Sequence, residues 1–384
     1  MGQVSHGSYA ESVNELVCLD MPCGPGMVER IKRAWDEGDA VFPLDQRLPA
    51  PARDAVLAVV RPTMVNDGSS DVRVEGDPVE PGDAVVVATS GTTGAPKGVV
   101  LTHGAVGASA RATSSRLGIT ASDTWLACLP PAHVGGLSVI LRSIVTGTPV
   151  IAVDGFSNDN YVSAARQGAT LVSLVATALR RVDATLYRTI VLGGARPPGD
   201  RPANVVTTYG MTETGSGVVY DGRPLDGVEV RIVDGVVHLR CPMLLRSYRG
   251  GPSPLSADGW FRTGDIGTFE DGVLTVDGRE GDLIITGGEN VWPEQVEEVL
   301  RTHPGLADVC VAGVDDPEWG RAVHAWVVPK NDDSPSLDEL RDHVKSTLPS
   351  HCAPREVHVV DSIPRTNLGK PRRAALVDSL SDRN

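Results

Sequence analysis

Five short runs rich in β-branched residues, each closed by Gly, Ser or Thr, set the tightest limit on what this chain can fold into. They are "DAVVVATS", "TPVIAV", "ATLVSLVA", "YRTIVLGG" and "ANVVTTYG", and from about Asp54 they alternate with small-residue helical stretches. A short apolar run reads as a strand buried on both faces, and strands alternating with helices build a largely parallel α/β sheet. In such sheets ligand loops gather at the carboxyl ends of the strands, which is where these glycines and hydroxyls fall. At 384 residues and 41% hydrophobic, the chain is long enough for a substantial core and two domains.

The texture changes from Val228. "VEVRIVDGVVHLRCP" reads as two alternating strands around Asp234-Gly235, and "DGVLTVDGREGD" adds another hairpin-like segment. "PEQVEEVLRTH" is expected to be a helix with Pro293 in its first turn. "ADVCVAGVDD", "RAVHAWVVP", "SLDELRDHVKSTL" and "REVHVVDSIP" complete a compact β-α-β unit. The expected fold is α/β: a large N-terminal domain of α/β sheets with a β-rich subdomain over 1–280, then a small α+β domain over 281–384. Upstream, "GDAVFPLDQRLPAPARDAVLAVVRP" reads as a strand, a turn and a helix.

A formal charge of -14 and a pI near 5.1 exclude a general nucleic-acid or anionic-membrane surface, because the long-range field repels both. Any phosphate ligand needs a local site. The six cysteines have no paired ligand spacing, so they read as buried or free thiols of a reducing cytosol. No apolar stretch reaches the roughly 18 residues of a membrane span, and the N-terminus lacks a basic segment followed by an apolar core. A cytoplasmic location is the expectation. "MGQVSH" departs from a myristoylation signal at His6.

Five motifs carry chemistry. In "VVATSGTTGAPKGVVLTHG", Thr89, Ser90, Thr92 and Thr93, the glycines 91, 94 and 98, and Lys97 can wrap a polyphosphate with hydroxyls, backbone N–H groups and an ammonium. It is not a Walker A loop, since Pro96 precedes Lys97 and Gly98 follows it. The plain alternative is a flexible turn between strand and helix. "TTYGMTETGSG" follows a strand and could be no more than a polar turn. "GWFRTGDIG" puts Asp265 in a tight glycine turn, either to accept hydrogen bonds from a ribose diol or to cap its own backbone. "GREGDLIITGGENVWP" and "PRTNLGK" complete the set.

Together and in this order, these motifs resemble the adenylate-forming superfamily of acyl- and aryl-CoA ligases, peptide-synthetase adenylation domains and luciferases. The resemblance runs from about Asp83 to Arg373. It implies that the first loop holds the β- and γ-phosphates of ATP while a carboxylate attacks the α-phosphate, giving an acyl-adenylate that coenzyme A then intercepts. By resemblance, Lys370 bridges substrate carboxylate and α-phosphate, Thr212 contacts the α-phosphate and Glu213 is associated with Mg²⁺. Tyr209, followed by Gly210 and Met211, lies against adenine. Gly193, Gly194 and Ala195 run along the adenine and acyl pocket, and Asp265 and Arg279 contact the ribose. The expected cofactors and substrates are ATP, Mg²⁺, coenzyme A and a small carboxylic acid.

Two departures from the family pattern bear on mechanism. The position where relatives swing their C-terminal domain is Gly281 here, and glycine reaches backbone angles closed to other residues. The plain reading is a hairpin glycine. Gly287 and Gly288 of "TGGENV" resemble the turn lining the coenzyme A tunnel. The phosphate loop also begins earlier than in the longer ligases, so part of the N-terminal subdomain is expected to be trimmed. That leaves a homodimer open without carrying over any interface.

For the acid, "LPPAHVGGLSVILRSIVTG" corresponds to the segment entering the acyl pocket, with His133 at a gating or lining position. Arg142 stands inside an apolar run, where burial without a counter-anion is costly. It reaches solvent, pairs with an acidic side chain, or receives a substrate carboxylate. An arginine at this distance after the histidine resembles the o-succinylbenzoate-CoA ligases of menaquinone biosynthesis, where it meets the second carboxylate. The resemblance therefore implies an acid–thiol ligase of that group. Ligases for other aryl or fatty acids, a stand-alone enzyme loading a carrier protein, and a non-catalytic nucleotide-binding relative remain as alternatives.

Overall fold

Each of the five apolar runs contains a strand in the computed structural model, which describes residues 14–89, 96–194, 200–331, 334–365 and 371–381. Among the described residues they build two seven-stranded sheets of one compact unit, Met1–Glu229 with Arg240–Phe261. In the first sheet the order is Ser247–Tyr248, Lys97–Thr102, Asp83–Thr89, Ala40–Pro43, Leu16–Leu19, Met64–Asn66, Asp71–Arg73. Its four middle strands are parallel, while antiparallel strands close both edges. In the second sheet, Val205–Met211, Thr189–Leu192, Leu171–Leu174, Trp125–Ala127 and Val150–Ala152 are parallel in that order, and Ser216–Tyr220 and Arg223–Pro224 extend one edge antiparallel.

The parallel strands read as unbroken Val/Leu/Ile runs because both faces are covered. One core cluster joins Val17, Val41 and Val85 of the first sheet to Trp125, Leu171 and Val191 of the second, through Leu137, Val139, Ile140 and Leu141 of helix Val134–Thr146. That helix lies in the deepest part of the unit, which is why an arginine within it is informative. Upstream, strand Ala40–Pro43 and helix Ala50–Val60 match the sequence reading.

The second unit comprises Val230–Leu239 and Arg262–Asn384. A four-stranded sheet orders Glu229–Val233, Val236–Arg240, Phe261–Glu270 and Val273–Arg279. Its Asp234-Gly235 and Asp271-Gly272 turns place both residues at positive φ, the signature of two-residue hairpin loops. This sheet therefore groups with the later residues, and a cut at residue 280 is a separate matter of hinge position. Beyond it, Leu306–Asp316 and Gly320–Pro329 pair antiparallel, and Glu356–Val359 returns parallel beside Gly320–Pro329 through helix Leu337–Lys345. Ser336 and Glu339 cap that helix reciprocally. Pro293 occupies the first turn of helix Pro293–Leu300, as expected.

One local expectation, and the plain alternative for the phosphate motif, fail. Asp265 is not in a tight turn but within the ten-residue strand Phe261–Glu270, with Gly264 supplying a single left-handed residue (φ 73°). Pairing along a long hairpin outweighs the turn preference of Gly and Asp. The phosphate motif, meanwhile, joins antiparallel strands Asp83–Thr89 and Lys97–Thr102, with Thr89 opposite Lys97, not a strand to a helix.

Candidate active site

Lys97 begins its strand, and strand Ser247–Tyr248 pairs beside it with Tyr248 opposite Val99. This brings the Lys97 ammonium 5.0 Å from the centre of the Tyr248 ring, a cation–π distance. The Tyr248 hydroxyl donates to Glu213 Oε1 at 2.9 Å, and the Leu245 N–H pins the Glu213 carbonyl at 2.8 Å. A cation and a carboxylate, two motifs apart in sequence, are thus spaced by one aromatic side chain. No motif pointed to Tyr248. Ser90, Gly91, Thr92, Thr93 and Gly94 lie outside the described residues.

The second motif is shaped by its own hydroxyls. Strand Val205–Met211 ends in a 3-10 turn, Thr212–Thr214, whose Thr214 hydroxyl bonds Met211 N and the Met211 and Ser216 carbonyls at 2.7–2.9 Å. Gly210 sits at a bulge where a Cβ would come 2.2 Å from the Ser216 carbonyl oxygen, so only glycine fits. Thr212 and Glu213 consequently leave the strand at a fixed angle. On the neighbouring strand end, Gly193 packs where a Cβ would meet the Thr208 hydroxyl at 2.9 Å, and Gly194 has φ 88°. Gly193, Gly194, Tyr209, Thr212 and Glu213 therefore cluster at the carboxyl ends of adjacent parallel strands. Ala195 lies outside the described residues.

His133 directly precedes helix Val134–Thr146. Its Nε2 is 3.5 Å from Asp45 and 3.4 Å from Arg47, which form a bidentate pair of 2.8 and 2.9 Å. The turn "DQRLP" thus supplies a charged support for the histidine that its sequence did not advertise. Two turns along the helix, Arg142 is 3% exposed. Its Nε and Nη1 have no hydrogen-bond partner, and among the described residues no carboxylate pairs with it. The guanidinium stacks 4.9 Å from the Trp125 ring, and burial pulls its pKa below the ordinary arginine value while nearby Tyr220 acts in the opposite direction. A small pocket bordered by Leu101, Ser109, Ser138 and Gly215 reaches Arg142, beside the turn that carries Glu213. Of the three readings of Arg142, solvent exposure and an internal ion pair are excluded among the described residues. His133 is not part of this pocket's lining.

In the second unit, Asp265 and Arg279 face each other across the hairpin and pair at 2.8 Å. The Thr263 hydroxyl accepts from Asp265 N–H and donates to the Val237 carbonyl, fixing the backbone there. Gly281 follows in a 3-10 turn, Glu280–Asp282, without a positive φ, and a Cβ on it would meet nothing within 4 Å. This arrangement does not itself demand glycine. Gly287-Gly288, by contrast, form a hairpin loop with φ 59° and 86°, and a Cβ on Gly287 would approach Trp319 to 2.8 Å.

Lys370 lies outside the described residues. Its flanks are anchored: Arg365 makes two 2.7 Å bonds to Asp308, and Arg365 and Pro371 form an isolated bridge. Arg373 binds Glu297 at 2.8 Å, Glu294 at 2.9 Å, Asp282 at 3.4 Å and the Val311 carbonyl at 2.9 Å. Sequence reading missed this buried network, since its members come from four separate segments.

Sequence comparison gives the same picture. A family model for AMP-binding enzymes matches residues 39–236, and one for the AMP-binding enzyme C-terminal domain matches 295–370. A probable 2-succinylbenzoate–CoA ligase of Mycobacterium tuberculosis is 40% identical over 365 residues, covering 88% of this chain and 94% of the relative. The o-succinylbenzoate CoA synthetase of Bacillus subtilis, solved with its acyl-adenylate, superimposes with a TM-score of 0.84 at 28% identity over 94% of this chain and 88% of that one. The same enzyme with ATP and magnesium gives 0.83 at 28% identity over 94% and 89%.

Proposed function

The chain belongs to the AMP-binding enzyme family, and from that premise we propose that it is an ATP-dependent acid–CoA ligase whose acid is o-succinylbenzoate. A carboxylate oxygen of the acid attacks the α-phosphorus of ATP, and pyrophosphate leaves with the electrons of the broken P–O bond. The sulfur of coenzyme A then attacks the acyl carbon, its proton passes to solvent, and AMP departs.

Such transfers depend on positioning and charge neutralisation more than on covalent help. Lys97, with the loop before it, faces the β- and γ-phosphates. Thr212 takes the α-phosphate and Tyr209 the adenine, with Gly193 and Gly194 leaving room for it. Asp265 and Arg279 hold the ribose, and Lys370 bridges carboxylate and α-phosphate. Glu213 suits a hard cation, because Tyr248 occupies one carboxylate oxygen while the other has no partner among the described residues. Magnesium bound there would neutralise phosphate charge.

Arg142 carries the choice of acid. A buried guanidinium with two nitrogens, Nε and Nη1, left without a partner, beside a small pocket next to the Glu213 turn, is costly unless an anion completes it. The second carboxylate of o-succinylbenzoate is such an anion, and the arginine fork is shaped for it. The 40% identical mycobacterial relative and the Bacillus synthetase support the same acid. The test is pyrophosphate release from ATP and Mg²⁺ against o-succinylbenzoate, benzoates and fatty acids, with and without coenzyme A. Turnover on o-succinylbenzoate that needs coenzyme A is expected. Activity confined to monocarboxylic acids would overturn the choice of acid and leave the ligase chemistry standing.

A further inference from the structure

Parallel strands Gly320–Pro329 and Glu356–Val359 set His324 opposite Glu356 and Trp326 opposite His358. Three potential donors converge on one face. His324 Nδ1 is 2.9 Å from His358 Nε2, and Glu356 Oε2 is 3.8 Å from the first and 3.9 Å from the second. The three atoms are close enough for one ion to reach all of them at roughly the 2.0–2.2 Å that zinc takes with imidazole nitrogen and carboxylate oxygen, once the two nitrogens open from hydrogen-bond contact to a tetrahedral edge. Hydrogen bonding alone does not require Glu356 to be equidistant from both rings.

We propose that His324, His358 and Glu356 form a binding site for a divalent transition-metal ion, with zinc(II) the best match. Imidazole-rich donor sets favour zinc, copper and nickel over magnesium, so this site is chemically distinct from one that serves nucleotide phosphates. His324 is buried and His358 half-buried, whereas Glu356 is exposed, which leaves the outward side open for a water ligand. The Trp326 indole lies 4.9 Å from the His358 ring and 6.2 Å from the His324 ring, holding both imidazoles in place. A bound ion would fasten strand Glu356–Val359 to its neighbour.

The test uses tag-free, chelator-stripped full-length protein and zinc chloride alone, read by calorimetry. One equivalent should bind in the micromolar range. Glu356→Gln, at an exposed position, and His358→Gln should each weaken binding about tenfold or more, and Glu356→Gln should leave the thermal melt of the metal-free protein unchanged. Cobalt(II) should give an absorption signature of nitrogen and oxygen ligands that is absent in His358→Gln. A wild-type protein that takes up no zinc, or variants that bind it as tightly as wild type, would overturn the site and leave the histidine pair as a plain hydrogen bond.

Discussion

At the scale of single residues, Arg142 is a buried guanidinium whose Nε and Nη1 have no hydrogen-bond partner, and the proposed function has a substrate carboxylate complete it. Replacing an unpaired buried charge by an apolar side chain of similar length is commonly neutral or stabilising. Arg142→Met should therefore keep or raise Tm while lowering kcat/KM for o-succinylbenzoate by about 3 kcal/mol, with simple monocarboxylic acids little affected. Equal losses on both acid types, with a lowered Tm, would show a structural arginine. Lys370 makes the complementary prediction for the other end of the reaction. Lys370→Ala should slow adenylation by about 10²-fold while conversion of supplied acyl-AMP to thioester largely survives; single-turnover assays of the two half-reactions separate these. Tyr248 is the residue that no motif revealed, and its hydroxyl touches Glu213 at 2.9 Å. Tyr248→Phe keeps the ring beside Lys97 and removes that bond, so the Mg²⁺ concentration for half-maximal rate should rise several-fold, by about 1 kcal/mol. An unchanged Mg²⁺ titration would confine Tyr248 to packing.

Elements place these side chains, and glycines decide how. At Gly210 the bulge brings a carbonyl oxygen to 2.2 Å of any added Cβ, so glycine there is a steric necessity of the strand end. Gly281 differs: its backbone angles are ordinary and a Cβ would touch nothing. If glycine is needed for a second arrangement of the chain, the need will appear only in the step that uses it. Gly281→Ala should leave Tm and adenylation at wild-type levels and slow the thioester-forming half-reaction several-fold. Wild-type rates in both half-reactions would leave Gly281 an ordinary residue of its 3-10 turn and not the hairpin glycine of the plain reading. The Asp-Gly turns at 234–235 and 271–272 belong to the same level, since both residues adopt the positive φ that a tight hairpin asks of them.

For the molecule as a whole, acid stability should depend on a few buried carboxylates, Asp123 chief among them. Burial pushes its carboxyl up, but the Thr120 N–H, the Thr170 hydroxyl and the bidentate Arg188 guanidinium outweigh this and hold its pKa down at about 2. The unfolded value is about 3.9, so the stabilisation is fully present above that pH and is lost as pH falls toward 2. Arg188→Met should lower the denaturation midpoint at pH 7 and flatten its fall between about pH 4 and pH 2; parallel acid limbs for both proteins would contradict this. Much of the architecture was legible in the sequence for local reasons. Buried parallel strands announce themselves by composition, and Asp-Gly pairs by their tolerance of positive φ. Tertiary structure alone decided partnership. That Tyr248 would stand between Lys97 and Glu213, that Arg142 would find no carboxylate among the described residues, that Asp265 would sit in a strand facing Arg279, and that His324 would meet His358 all depend on which distant segments the sheets bring side by side. Propensity acts within a few residues, whereas strand order and register are settled by burial summed over the whole chain, so contacts between distant residues cannot be read from either one's neighbourhood.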